Sequence, residues 1–215
     1  MNSLPLILIF WYGILHAFGP DHLTAIADFS IGKSKRKTLF ITLAFAIGHG
    51  LSLFIFAKIL QSIHISEEIL SYGDIISSSV IIAIGVFLLY MAATDKINVG
   101  WHEHSGKKHI HIYFGKEHTH DNELKGRVAS ALTIGALMGI GGVRGMLVTL
   151  SAISHNEVNL LMVLSFTLGV ALVFLIFGYF LGLVNENLMK TKQNVRIAFA
   201  TAGAISLVVG SSMIL

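Results

Sequence analysis

Seven consecutive residues near the start of the chain, His16-Ala17-Phe18-Gly19-Pro20-Asp21-His22, place two imidazoles and a carboxylate within a predominantly apolar stretch that runs from Leu4 to Phe29 without a Lys or Arg. An ionisable side chain at bilayer depth costs about 2.5–3.5 kcal/mol on insertion scales, so such groups default to a functional reading. A third histidine, His49, sits in the middle of the next apolar stretch, within Gly48-His49-Gly50. Together His16, Asp21, His22 and His49 offer up to three imidazoles and one carboxylate. That donor set suits Ni²⁺, Co²⁺ or Zn²⁺ better than Mg²⁺ or Ca²⁺.

On an unbroken helix His16 and His22 would lie about 240° apart and share no face. The Gly19-Pro20 pair changes this. Pro20 lacks an N–H and would clash with the carbonyl of His16, and Gly19 is pushed out of the helical region. The sequence therefore predicts a broken helix with Pro20 in the first turn of a short second half. Freed backbone carbonyls there are tolerated where they face a cavity. Asp21 falls in a first turn, where the helix dipole favours its charge.

Further groups could assist. Arg144, in Gly141-Gly142-Val143-Arg144-Gly145, approaches Asp21, lines the vestibule of the empty site, or snorkels to the interface. Asp28, at the far end of the first apolar stretch, either guides an ion away from the site or faces headgroups. Met138 is a soft ligand or a gap-filler. A long polar connection holds His102, His104, His109, His111, His118 and His120 as three H-x-H pairs. In an extended segment residues i and i+2 project to one side, so each pair can present two imidazoles to Ni, Zn, Co or Cu. The alternative is a polar tether. Weak affinity and little fixed structure are expected of it.

The elements that must position these groups are membrane spans. The chain of 215 residues is 54% hydrophobic and only 13% charged, against about 25% charged in a soluble domain. It reads as an integral membrane protein whose first partner is the lipid bilayer. A net charge of +3 spread over short connections is no nucleic-acid footprint. The absence of Cys removes disulfides, thiolate metal sites and dithiol redox chemistry. At about 20 apolar residues per span, six candidates appear: Leu4–Phe29, Thr38–Leu60, Ile75–Ala93, Val128–Ile153, Val158–Val184 and Val195–Leu215. With no basic residues or small-residue cleavage site around its apolar run, the first is expected to be retained as a span rather than removed as a signal peptide.

Basic residues set the orientation. The first connection carries Lys33, Lys35, Arg36 and Lys37; the third Lys96, Lys107, Lys108, Lys116, Lys125 and Arg127; the fifth Lys190, Lys192 and Arg196. Only Lys58 and Arg144 lie elsewhere. The odd connections are therefore expected in the cytoplasm and both termini outside it, in a multi-pass protein of a prokaryotic plasma membrane.

An internal repeat relates the two halves. GILHAFGPDHLTAIA from Gly13 aligns with GALMGIGGVRGMLVT from Gly135, and FAIGHGLSLFIF from Phe45 with FTLGVALVFLIF from Phe166. Three spans per half would invert the second half against the first. Gly/Pro-interrupted segments at matching positions of inverted halves point to a central substrate site in secondary transporters. The expected fold is thus all-α, with six transmembrane helices as two inverted three-helix repeats. Residues 1–93 form the first repeat and carry the metal site, 94–126 form the His-rich cytoplasmic loop, and 127–215 form the second repeat. The first and fourth helices are expected to break at their Gly/Pro motifs.

The segment from His16 to His22 resembles the H-x4-D-H signature of the nickel/cobalt transporter superfamily. Gly48-His49 resembles that family's second motif, and Gly141 to Gly145 resembles a glycine-rich motif of its short, urease-accessory-like branch. The resemblance implies transport of Ni²⁺ or Co²⁺, with His16, Asp21, His22 and His49 matching residues needed for ion recognition. Uptake members usually have eight spans. Six-span efflux members carry His-rich loops but a different residue where Asp21 stands, so the direction of transport stays open. The ion is cargo, no permanent cofactor is expected, and Zn²⁺ also fits the donors. The competing expectation is a membrane metal sensor or delivery scaffold serving a cytosolic metallochaperone. An enzyme would need a free catalytic carboxylate and a substrate cavity that the sequence does not nominate, so none is expected.

Overall fold

The chain has two prolines, Pro5 and Pro20, so nearly every helix can run without interruption. The computed structural model describes residues 4–62, 67–94, 96–104, 107–114, 123–153 and 159–214, and side chains for all of these except 60–62, 67–71, 98–104, 107–114, 123–125 and 144–153. Among the described residues are seven helices and one hairpin: α1 (Leu4–Ala17), α2 (Pro20–Ser30), α3 (Lys35–Ser62), α4 (Glu67–Ala93), β1 (Ile97–His104), β2 (Lys107–Phe114), α5 (Glu123–Ile153), α6 (Leu160–Leu188) and α7 (Lys192–Ser212). Side-chain caps start two of the helices, Asn159 accepting from the Met162 N–H and Thr191 from that of Asn194.

Among the described residues five helices are long and apolar enough to cross a membrane, or up to six spans if the bent pair α1–α2 counts as one. Their outer faces carry large apolar side chains, among them Leu15, Leu168, Phe180 and Val208. A soluble protein would bury such a belt; here it is the surface presented to lipid. The chain is a multi-pass, all-α membrane protein with a small hairpin between α4 and α5.

With no hydrophobic force between helices in lipid, small residues that admit a neighbouring backbone carry the packing. A Cβ added at Gly13 of α1 would lie 2.3 Å from the Phe166 carbonyl oxygen on α6, and one at Gly169 of α6 would lie 2.3 Å from that of Phe10 on α1. The crossing of α5 with α3 has the same form. There a Cβ added at Gly135 would lie 2.2 Å from the Phe45 carbonyl oxygen, and one at Gly48 would lie 2.0 Å from that of Leu132. Hydroxyls add links: Ser165 donates to the Leu6 carbonyl and Ser77 to that of Met138. Thr42 and Ser78 instead donate within their own helices, to the Leu39 and Ile75 carbonyls.

The first span breaks as expected, with α1 and α2 at 61° to one another. The expected break in the fourth span is not there: α5 runs through Gly139–Gly145 as one helix. The physical reason is the missing proline. Glycine costs about 1 kcal/mol in a helix interior but keeps its N–H, and here it admits neighbours. Gly139 lies against the His49 carbonyl and Gly141 against Ser77. Met138 is buried in the apolar core rather than in a ligand position. The polar third connection, expected to have little fixed structure, contains an antiparallel hairpin. Its first residue, Ile97, is buried in an apolar cluster with Leu88, Met91, Val195 and Phe199 from α4 and α7.

Candidate metal centre

Pro20 is the first residue of α2, and Gly19 before it adopts φ −51° and ψ 129°. That extended conformation is the one a residue preceding proline is driven to. The turn folds back tightly, Gly19 N–H bonding the His16 carbonyl at 3.0 Å and Leu23 N–H bonding that of Gly19 at 3.2 Å. The 61° bend brings His22 under His16, which a straight helix would keep on opposite sides. Their ring centroids are 4.7 Å apart.

His49 enters from the middle of α3, with its ring centroid 5.5 Å from that of His16 and 4.8 Å from that of His22. Each histidine offers one nitrogen such that all three lie within 4.8 Å of one another. His22 and His49 are buried, at 3% and 0% exposure. Imidazole binds a transition metal at about 2.0–2.1 Å, so an ion would draw these nitrogens together by roughly 1 Å. Four ring nitrogens here have no hydrogen-bond partner in the structure: Nε2 of His16, Nε2 of His22 and both of His49. An unsatisfied buried polar atom costs about 1–3 kcal/mol, and four in one place suit a cation with open coordination positions.

Asp21 lies beside this cluster rather than within it. Its Oδ1 is 2.8 Å from His22 Nδ1, so the carboxylate fixes which nitrogen of His22 is left for the centre, namely Nε2. Gly19 makes room for the pair: a Cβ there would lie 2.5 Å from Asp21 Oδ1 and 2.9 Å from His22 Nδ1. The remaining walls are aromatic. Phe174 stacks on His22, Phe45 on His49, and Tyr12 and Phe166 flank His16. Gly142 of α5 forms the floor under His16, where a Cβ would be 3.2 Å from Nε2.

Other expected residues lie elsewhere. Asp28 does not face headgroups. It is buried at 8% exposure, bonded through Oδ2 to the Ser206 hydroxyl of α7 at 2.6 Å, and lines a separate cavity of about 300 Å³. Arg144 belongs to α5 beyond the described side chains. His102 and His104 lie on β1, His109 and His111 on β2, with His102 directly opposite His109 in the register. Their side chains, and all of His118 and His120, lie outside the described residues.

Sequence reasoning missed the aromatic walls and the Gly142 floor. Phe166 had a signal, since it heads the repeat that pairs it with Phe45. For Phe174 an apolar helix offers none. No family model matches this chain, and no curated protein or solved structure is significantly similar to it.

Proposed function

We propose that this protein carries a divalent transition-metal ion, Ni²⁺ or Co²⁺, across the membrane through the His16–His22–His49 centre by alternating access. One observation carries the reading: three imidazoles, buried at His22 and His49 and half-buried at His16, converge at a helix break with four unsatisfied nitrogens. Nitrogen donors without a carboxylate among the three favour Ni²⁺, Co²⁺ and Zn²⁺ over Mg²⁺ and Ca²⁺. The H-x4-D-H resemblance selects nickel and cobalt among these. Asp21 acts on His22, as the carboxylate of a carboxylate–histidine–metal triad orients the ligand and raises its basicity.

Alternating access is supported by the form of the two glycine crossings. The contacts of Gly13 with Phe166 and of Gly169 with Phe10 are repeated by Gly135 with Phe45 and Gly48 with Leu132. These are the positions that the internal alignment pairs. Two three-helix halves, inverted by their odd number of spans, would rock about a centre that both share. Moving a divalent ion through 100 mV involves about 4.6 kcal/mol, enough to drive inward movement alone, whereas outward movement needs a coupled ion. In the proposed orientation both termini face outside a prokaryotic plasma membrane.

Metal-ion flux into and out of sealed proteoliposomes, under gradients of each sign, tests this. His22→Ala should abolish Ni²⁺ and Co²⁺ flux while leaving insertion intact; wild-type flux in that variant would sink the site assignment. A second reading has one observation of its own. The backbone register sets His102 of β1 directly opposite His109 of β2, in two paired strands that also carry His104 and His111. A histidine-rich hairpin of this kind suits handing metal to a cytosolic metallochaperone.

A further inference from the structure

Six residues beyond His22 on the same helix, Asp28 is a buried carboxyl that the metal centre does not use. About 9 Å of helix rise separates the two. Its Oδ1 is buried without a partner, and its Oδ2 is 2.6 Å from Ser206 Oγ. Ser206 Oγ is also 2.9 Å from the Ala202 carbonyl. A hydroxyl has one hydrogen, so it can give a full two-centre bond to only one of these two oxygens. Both contacts become full hydrogen bonds when Asp28 carries a proton and donates it to Ser206, which then donates to Ala202.

The surroundings favour a proton over a second metal ion. The cavity beside Asp28 is lined by Ile84, Phe87 and Leu88 of α4 and Phe199 of α7. Its other charged groups are Lys33, from the turn after α2, and Arg127 of α5. α7 faces Asp28 with Ser206. Two cationic side chains make the cavity a poor resting place for a divalent cation.

The helix that joins the two sites is a short element bounded by a backbone break at each end. α2 is 11 residues long, with the Gly19 break before it and Gly32, at φ 70°, after it. Its far end is tied to α6, Asn185 donating to the Ser30 carbonyl and accepting from the Gly32 N–H. The Asp28–Ser206 hydrogen bond links α2 to α7. Displacing α2 with α6 against α7 would part that link.

We infer that Asp28 and Ser206 form a proton-binding station that couples proton movement to metal transport through α2. This rests on the transport reading above. With α2 in its present position Asp28 Oδ2–H is held by Ser206. When His22 engages a cation, α2 shifts, the O–H bond ionises, the proton passes to water in the cavity, and the carboxylate remains in the cavity that Lys33 and Arg127 also line. Return of α2 requires a proton to be taken up again.

The test uses the full-length protein in sealed proteoliposomes containing a pH-sensitive dye, with Ni²⁺ as the probe. Infrared spectra of the reconstituted protein are recorded alongside. Wild type should show a pH change accompanying Ni²⁺ flux, and a protonated-carboxyl C=O band that disappears when Ni²⁺ is added. Asp28→Asn should still bind Ni²⁺ in detergent, which reports an intact fold and centre. It should lack the band, and its Ni²⁺-driven pH change should fall to that of empty liposomes. Wild-type Ni²⁺ flux without a pH change would overturn the coupling alone. So would an Asp28→Asn variant that keeps either the band or the pH change. Absence of any wild-type Ni²⁺ flux would overturn the transport reading and the coupling with it.

Discussion

Gly19 is the residue on which the geometry of the centre turns, because it serves the backbone and the side chains at once. It accepts the extended conformation that Pro20 imposes, and its missing Cβ leaves space for Asp21 against His22. Gly19→Ala should therefore push the carboxylate off Nδ1 without unfolding the helices. Loss of such an orienting contact costs about 10- to 100-fold in metal affinity. Asp21→Asn should fall in the same range, as measured by Ni²⁺ titration of the purified protein in detergent with circular dichroism as the control. An affinity unchanged in both variants would mean that His22 needs no orienting partner. The residue types were legible in the sequence: two histidines and an aspartate flanking Gly-Pro at bilayer depth have little other use. What spacing could not show is the division of labour between them. Whether a carboxylate meets the ion or the neighbouring imidazole depends on about an ångström of side-chain placement after the bend. The same limit applies to Asp28, whose position was plain but whose Ser206 partner lies in a helix 178 residues away in sequence.

At the scale of elements, the outcome followed proline more than glycine. Both the first and the fourth spans carry a glycine-rich motif, yet only the one with Pro20 is broken. Removing an N–H and adding a ring clash forces a break, whereas glycine permits one only if nothing else benefits from the straight helix. In α5 the close neighbours do benefit, since Gly135 and Gly139 seat the carbonyls of Phe45 and His49 on α3. That preference comes from packing between distant segments and is absent from the local pattern. It also makes a prediction. Gly135→Ala would force α5 away from α3, the element that carries His49, and overpacking of this kind costs about 1–3 kcal/mol. Gly13→Ala, at the corresponding α1–α6 crossing, should cost a similar amount. Thermal unfolding in detergent should show a lowered midpoint for both, with Gly135→Ala also weakening Ni²⁺ binding. If Gly135→Ala were as stable as wild type, the contact with Phe45 could not be as close as it is described.

For the molecule as a whole, the membrane character and the all-α architecture of long apolar helices were readable from hydropathy; the two similar glycine crossings were not, although the internal alignment pairs Gly13 with Gly135 and Gly48 with Gly169. Nor was the hairpin. Its strands are too polar to register as buried structure, and a histidine-rich segment reads as solvated chain until Cα register pairs His102 with His109. The placement of the hairpin separates the two functional readings. Its base, Ile97, is packed with α4 and α7, whereas His16, His22 and His49 are held by α1, α2 and α3. A chain lacking residues 101–120 loses every hairpin histidine but none of the groups that build the centre. If the protein is a transporter, that deletion should keep Ni²⁺ flux in proteoliposomes, with at most a change in the concentration that half-saturates it, because the loop only raises the local supply of ion. If the protein is a delivery scaffold, the same deletion should leave Ni²⁺ bound at His16, His22 and His49 yet stop its transfer to a soluble nickel acceptor. Flux and transfer measured on one preparation therefore distinguish the readings. Loss of flux together with retained binding at the centre would show that the three histidines hold metal without passing it through the membrane.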